Sequence, residues 1–170
     1  MSKIEQEDIE LVKFALDRFT KKYSLSVKDV LSLFSSDDKI PVSIFCEKLS
    51  PLETVVKYLR DDKSKTFPEI AKILGKGIPA CWTAYKNASK KHKEKFSILP
   101  SEYDIPYANI FSKKLSLLEL ISQYLHTSHK LRFSKIGEIL HRDQRTIWTS
   151  YSRAVSKIKN ENKKTSKPKK

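Results

Sequence analysis

Glycine is nearly missing from this chain: Gly75, Gly77 and Gly137 are the three in 170 residues. That scarcity argues against a turn-rich all-β fold, whose hairpins depend on positive φ. Cys46 and Cys81 are isolated and have neither metal-ligand nor disulfide-framework spacing, which points to a reducing cytosol. No run approaches the ~20 apolar residues of a membrane span. Met1 leads into a polar, acidic stretch rather than a signal-peptide pattern. Glycine-rich phosphate loops, nucleophile elbows and paired-carboxylate motifs are all missing, so neither an enzyme nor a cofactor is expected. His126 and His129 stand three apart with no further ligand set nearby, which speaks against a metal centre.

What is plentiful is positive charge. Lys and Arg number 34 against 20 Asp and Glu, for a net of +14. The excess is uneven: residues 1–39 carry a net −1, 40–95 carry +6, 96–156 carry +3, and 157–170 carry +6. A basic surface concentrates polyanions and supplies sequence-independent phosphate affinity. Lysine-rich faces also simply solubilise, so charge alone does not decide a function.

The chain repeats itself 66 positions apart. From Phe45 it reads FCEKLSPLETVVKYL, then TFPEIAKIL, then CWTAYKNA; from Phe111 it reads FSKKLSLLELISQYL, then RFSKIGEIL, then IWTSYSRA. The shift pairs Leu49 with Leu115, Ser50 with Ser116, Glu53 with Glu119 and Phe67 with Phe133. It goes on to pair Trp82 with Trp148, Tyr85 with Tyr151 and Ala88 with Ala154. A fixed period marks repeated structural units.

Each unit opens on an Ile-Pro segment, Ile40-Pro41 or Ile105-Pro106, expected to be extended because Pro disfavours helix at the residue before it. A first helix follows from the capping boxes Ser50–Glu53 and Ser116–Glu119, with Pro51 where a first-turn proline loses no hydrogen bond. Thr66–Glu69 is a further box, whereas Arg132 and Gly137 occupy its positions in the second unit. Upstream, residues 8–23 have helical apolar spacing through Ile9, Val12, Leu16, Phe19 and Tyr23, and a shorter helix is expected near Val27–Phe34. This pair reads either as a truncated third copy or as two ordinary amphipathic helices. The organisation expected is an N-terminal helical segment (1–39), a first unit (40–95), a linker (96–104), a second unit (105–158) and a disordered basic tail (159–170).

Within each unit a small residue in helix two lies ten positions before an apolar anchor in helix three: Ala71 with Cys81, Gly137 with Ile147. Gly75 suits the turn between these helices, where the second unit has His141. Ile70 and Ile136, Leu74 and Leu140, Tyr85 and Tyr151 would complete the two cores. FPEIAKILGKGIPACWTAYKNA and FSKIGEILHRDQRTIWTSYSRA resemble the helix-turn-helix of the fourth region of bacterial sigma factors and of related homeodomain-like regulators. The resemblance covers about 22 residues in each unit, and the other sigma regions have no visible counterpart.

That resemblance implies an all-α fold with two tandem three-helix helix-turn-helix units, whose third helices enter the major groove of duplex DNA. Carried onto the second unit, Asp143 becomes the N-cap, and Gln144, Arg145, Thr149 and Ser152 occupy the base-reading face. Arg grips guanine and Gln grips adenine in bidentate fashion. Arg142, Arg153 and Lys157, with Lys76, Lys86, Lys90 and Lys91 of the first unit, would lie along the DNA backbone. Gly77, Ile78 and Pro79 stand where the second unit has Asp143, Gln144 and Arg145. The first unit therefore reads as an electrostatic clamp or a protein-contact module, and the second as the reader. Trp82 and Trp148 each follow the buried anchor and point toward the edge of the reading face, where an indole would stack on sugar or close the interface. The reading favoured is that they pack on the first helix beside Tyr58 and Tyr124, as large aromatics usually do.

The function expected is sequence-specific binding of double-stranded DNA by a cytoplasmic, nucleoid-associated transcriptional regulator, with RNA polymerase or another protein as a further partner and no membrane. Two other readings remain: a DNA-targeting component of a transposition, recombination or phage-packaging complex, and an RNA-binding or protein-interaction module.

Overall fold

The computed structural model describes residues 6–23, 39–99 and 101–165. The chain divides into two units, Met1–Asp38 and Lys39–Lys170. In the first, helix α1 spans Gln6–Tyr23. It leaves Leu11, Val12 and Phe14 exposed, and an Asp17–Lys21 pair one turn apart sits on its surface. The second helix expected at Val27–Phe34 lies outside the described residues.

The larger unit, Lys39–Lys170, is mostly helical. Among its described residues are α2 (Pro51–Asp61), α3 (Phe67–Leu74), α4 (Ile78–Lys91), α5 (Leu117–Ser128), α6 (Phe133–Leu140) and α7 (Gln144–Thr165). Two-residue strands β1 (Lys39–Ile40) and β2 (Ile105–Pro106) form an antiparallel pair, each followed by a single 3-10 turn. These are the extended arms that the Ile-Pro segments call for.

Local chemistry sets the helix boundaries. Ser50 and Ser116 accept from the Glu53 and Glu119 N–H groups, and the two carboxylates accept in return from the serine N–H groups at 2.8 Å. Orphan donors at both helix starts are thereby satisfied. Before α3, the Glu69 carboxylate accepts from the Thr66 N–H and hydroxyl, each at 2.7 Å. Arg132 heads α6 without a side-chain cap. Helix α3 ends on Gly75 at φ 62°, and α6 ends on His141 at φ 51°. The left-handed turn that glycine accepts freely is thus also imposed on a histidine. Ser64 and Lys130, again 66 positions apart, share positive φ in the turn between the first two helices of each set.

The buried faces follow helical spacing: Ile70, Ala71 and Leu74 on α3; Cys81, Ala84 and Ala88 on α4; Ile136, Gly137 and Leu140 on α6; Ile147 and Ala154 on α7. Helix α2 packs on α4, and α5 on α7. Cys81 and Ile147 are fully buried, as anchors of the third helices should be. Removing such a side chain from water is worth roughly 1.5–3 kcal/mol. The repeat extends to details. Arg60 lies over the Phe67 ring and donates to the Lys65 carbonyl; His126, its counterpart, stacks on Phe133 and meets the Leu131 carbonyl at 2.9 Å. His129 contacts the Tyr124 hydroxyl at 3.2 Å, so each histidine has a partner within the protein.

One expectation fails at the C-terminus. Helix α7 runs to Thr165, through residues read as the start of a disordered tail. Residues 155–165, VSKIKNENKKT, contain neither Gly nor Pro, so nothing local stops a helix already nucleated by packing on α5.

Candidate nucleic-acid interface

The third helices α4 and α7 present the surfaces of interest. Each follows its left-handed turn by three residues and is pinned by its buried anchor, so the residues around that anchor have fixed directions. In α7 the Asp143 carboxylate accepts from the Arg145 N–H at 2.7 Å, and the Asp143 carbonyl accepts from the Ile147 N–H at 3.2 Å. Asp143 is therefore the N-cap. Gln144, Arg145 and Arg153 are exposed. Thr149 and Ser152 are half-buried, and the Thr149 hydroxyl donates to the Arg145 carbonyl at 2.8 Å, which leaves its lone pairs as acceptors. The five side chains form one outward face.

The equivalent face of α4 is apolar where α7 is polar. Ile78 is 49% exposed, and Pro79 and Ala80 are exposed beside it. Lys86 and Lys90 extend the exposed face toward the C-terminus. The indoles overturn the expectation that they would pack on the first helix: Trp82 is 50% exposed and Trp148 57%. Each follows its buried anchor by one residue and so projects about 100° away from it. The third-helix side chains that are buried are instead Ala84 and Ala88, and Ala154 in the second copy. The Lys86 ammonium lies 4.9 Å from the Trp82 ring centroid, a cation–π arrangement.

Four cations expected along a DNA backbone have partners inside the molecule. The Lys91 ammonium donates to both Glu53 carboxylate oxygens at 2.9 Å, and Lys157 does the same to Glu119 at 2.8 and 2.9 Å. Burial alone would push these carboxyls up. Hydrogen bonds from the lysines and from the Ser50 and Ser116 N–H groups outweigh it and hold both below the ordinary carboxylate range. Lys76 donates to the Ser112 and Leu115 carbonyls at 2.7 Å each, and burial pushes its ammonium below the ordinary lysine range. Arg142 donates to the Glu47 carbonyl at 3.1 Å and to the Leu49 carbonyl. Arg153, Lys86 and Lys90 remain on the outward surfaces. A signal for the two glutamate–lysine pairs was present in the sequence. Glu53 with Lys91 and Glu119 with Lys157 recur at one offset in both copies.

A cleft of about 420 Å³ opens between the N-terminal turns of α2 and α5, with Lys76, Lys114 and Lys157 on its wall. Both helix starts are closed by their own serine–glutamate boxes, so these donors are already used. Burial raises the Cys81 thiol above its ordinary range. No helix among the described residues is long and apolar enough to cross a membrane. Comparison of the chain with protein-family models, curated proteins and solved structures finds no match.

Proposed function

We propose that this protein binds double-stranded DNA sequence-specifically through two tandem helix-turn-helix units and acts as a transcriptional regulator in the cytoplasm. The observation that carries the reading is the first turn of α7. Gln144 and Arg145 stand exposed beside the Asp143 cap, on a helix fixed by the fully buried Ile147 and reached through a tight left-handed turn. Both side chains are bidentate readers of base edges, and a rigid scaffold is what makes such reading selective. Thr149 and Ser152 extend the same face, and Arg153 is placed for phosphate.

In this reading the first unit contributes affinity rather than sequence. Ile78 and Pro79 have no side-chain donors, whereas Lys86 and Lys90 neutralise phosphates. Exposure of Ile78 and Trp82 favours a second role for this unit, as a contact for RNA polymerase or another protein. The role proposed is binding, with no reaction and no cofactor.

Selection of bound sequences from a random duplex pool, followed by affinity measurement across a salt series, tests the proposal. Enrichment of a defined motif is expected, with affinity falling at a log–log slope near −0.9 per phosphate contact. A chain that enriches no motif and binds no duplex at low salt is not a DNA-binding regulator.

A further inference from the structure

The two three-helix units are related by a twofold axis and not by simple translation along the chain. Three sets of contacts establish this. Lys76 of the first unit donates to Leu115 of the second, while Arg142 of the second donates to Leu49 of the first; 76 and 142, like 49 and 115, are equivalent positions. In the strand pair, Ile40 lies opposite Ile105, each the isoleucine of its own Ile-Pro segment. The 3-10 turn at Tyr107–Asn109 packs against α3, and the turn at Val42–Ile44 packs against α6. When position i meets j' and position i' meets j, the interface closes on itself; a translational array gives one-way contacts. Ile40 and Ile105 are fully buried, so packing and not a linker sets the orientation.

We infer that a single duplex engaged by both units is contacted at two inverted half-sites, of which α7 reads one by hydrogen bonds and α4 holds the other without them. This rests on the DNA-binding reading above and adds the geometry of the target. Duplex DNA has local dyads perpendicular to its axis, and twofold-related recognition helices match half-sites inverted about such a dyad. The chain thus does alone what dimeric regulators do with two copies. The information is asymmetric: Asp143-Gln144-Arg145 faces one half-site, Gly77-Ile78-Pro79 the other.

The test transplants the reader. Gly77→Asp, Ile78→Gln and Pro79→Arg together give α4 the reading turn of α7, and the variant goes through random-pool selection beside the parent chain. The expected motif contains the parent's half-site twice, the second copy reverse-complemented at fixed spacing. A second copy in the same orientation, or a folded variant that gains none, overturns the inference while leaving DNA binding intact. Hydroxyl-radical cleavage of the parent's own best site needs no variant. Protection that mirrors itself across the two strands about one centre supports the inference. Protection repeating by translation, or confined to one half-site, overturns it. A parent chain that enriches nothing and protects nothing removes the DNA-binding reading, and the inference falls with it.

Discussion

Lys76 and Arg142 make the same contact in opposite directions. Each stands directly after the left-handed residue of its turn, and each donates to the carbonyl of the leucine before the other unit's first helix, Leu115 for Lys76 and Leu49 for Arg142. Charged donors on backbone carbonyls are among the stronger hydrogen bonds. We expect Lys76→Ala and Arg142→Ala each to cost about 1–2 kcal/mol in chemical denaturation, in line with charged hydrogen bonds at a partly exposed site. The salt slope of duplex binding should stay nearly unchanged. Unaltered stability with a shallower slope would return both residues to the phosphate backbone.

The two glutamate–lysine pairs make stability pH-dependent in a defined direction. Glu53 and Glu119 hold their protons less tightly in the folded state than in the unfolded chain. Their contribution is complete above the ordinary carboxylate value of 4.5 and is lost as pH falls through the lower folded values. Melting temperature should therefore drop in acid, and Glu53→Gln with Glu119→Gln should flatten that drop while costing about 1–2 kcal/mol at neutral pH. An acid limb identical in parent and variant assigns the effect to other groups.

The turn before the third helix is tightly constrained in the second copy, where a histidine takes the left-handed position and Gly137 lies close against the backbone of the turn. A Cβ at Gly137 would lie 2.6 Å from the Arg142 carbonyl oxygen, a backbone atom that cannot step aside. Gly137→Ala should destabilise by about 1–3 kcal/mol, the usual cost of overpacking. His141→Gly works the other way. It relieves left-handed backbone at an exposed side chain and should add about 0.5–1 kcal/mol after the unfolded-state entropy of glycine is subtracted. Thermal melts of the two variants moving in the same direction would contradict this account.

In the proposed reading, α7 as reader and α4 as clamp should separate by mutation. Arg145→Ala should erode preference for the selected site by about 1–3 kcal/mol of discrimination and spare low-salt binding to random duplex. Pro79→Ala, at the equivalent place in α4, should leave specificity alone, and Lys86→Ala should weaken all sequences by one factor. Competition titrations on folded protein measure all three. If Pro79→Ala costs specificity and Arg145→Ala does not, the roles are reversed.

The exposed indoles give a direct readout. Trp82→Ala and Trp148→Ala should change stability by less than about 0.5 kcal/mol, as surface substitutions do. Acrylamide quenching should be strong in the free protein and weaker on duplex DNA. Large melting losses would show instead that the rings are structural.

By itself the sequence determined the elements and their internal packing. Helical spacing, the Ser–Glu boxes, the small residue ten positions before Cys81 or Ile147, and the glycine turn are short-range devices, each satisfied within one copy of the repeat. The helix expected at Val27–Phe34 lies outside the described residues. The short-range signals misjudged the tail, because low apolar content does not stop a helix that packing has already started. Only the tertiary structure decided how the copies face each other. Lys76 and Arg142 looked like free surface cations because their partners are carbonyls on the other unit, 36 to 95 residues away, and carbonyls leave no mark in a sequence. Trp82 and Trp148 looked like core because periodicity gives a side chain's direction but not which space is already taken. The twofold relation could not be read from a direct repeat in the chain: order along a sequence is translational, whereas closure in space is set by which surfaces bury each other.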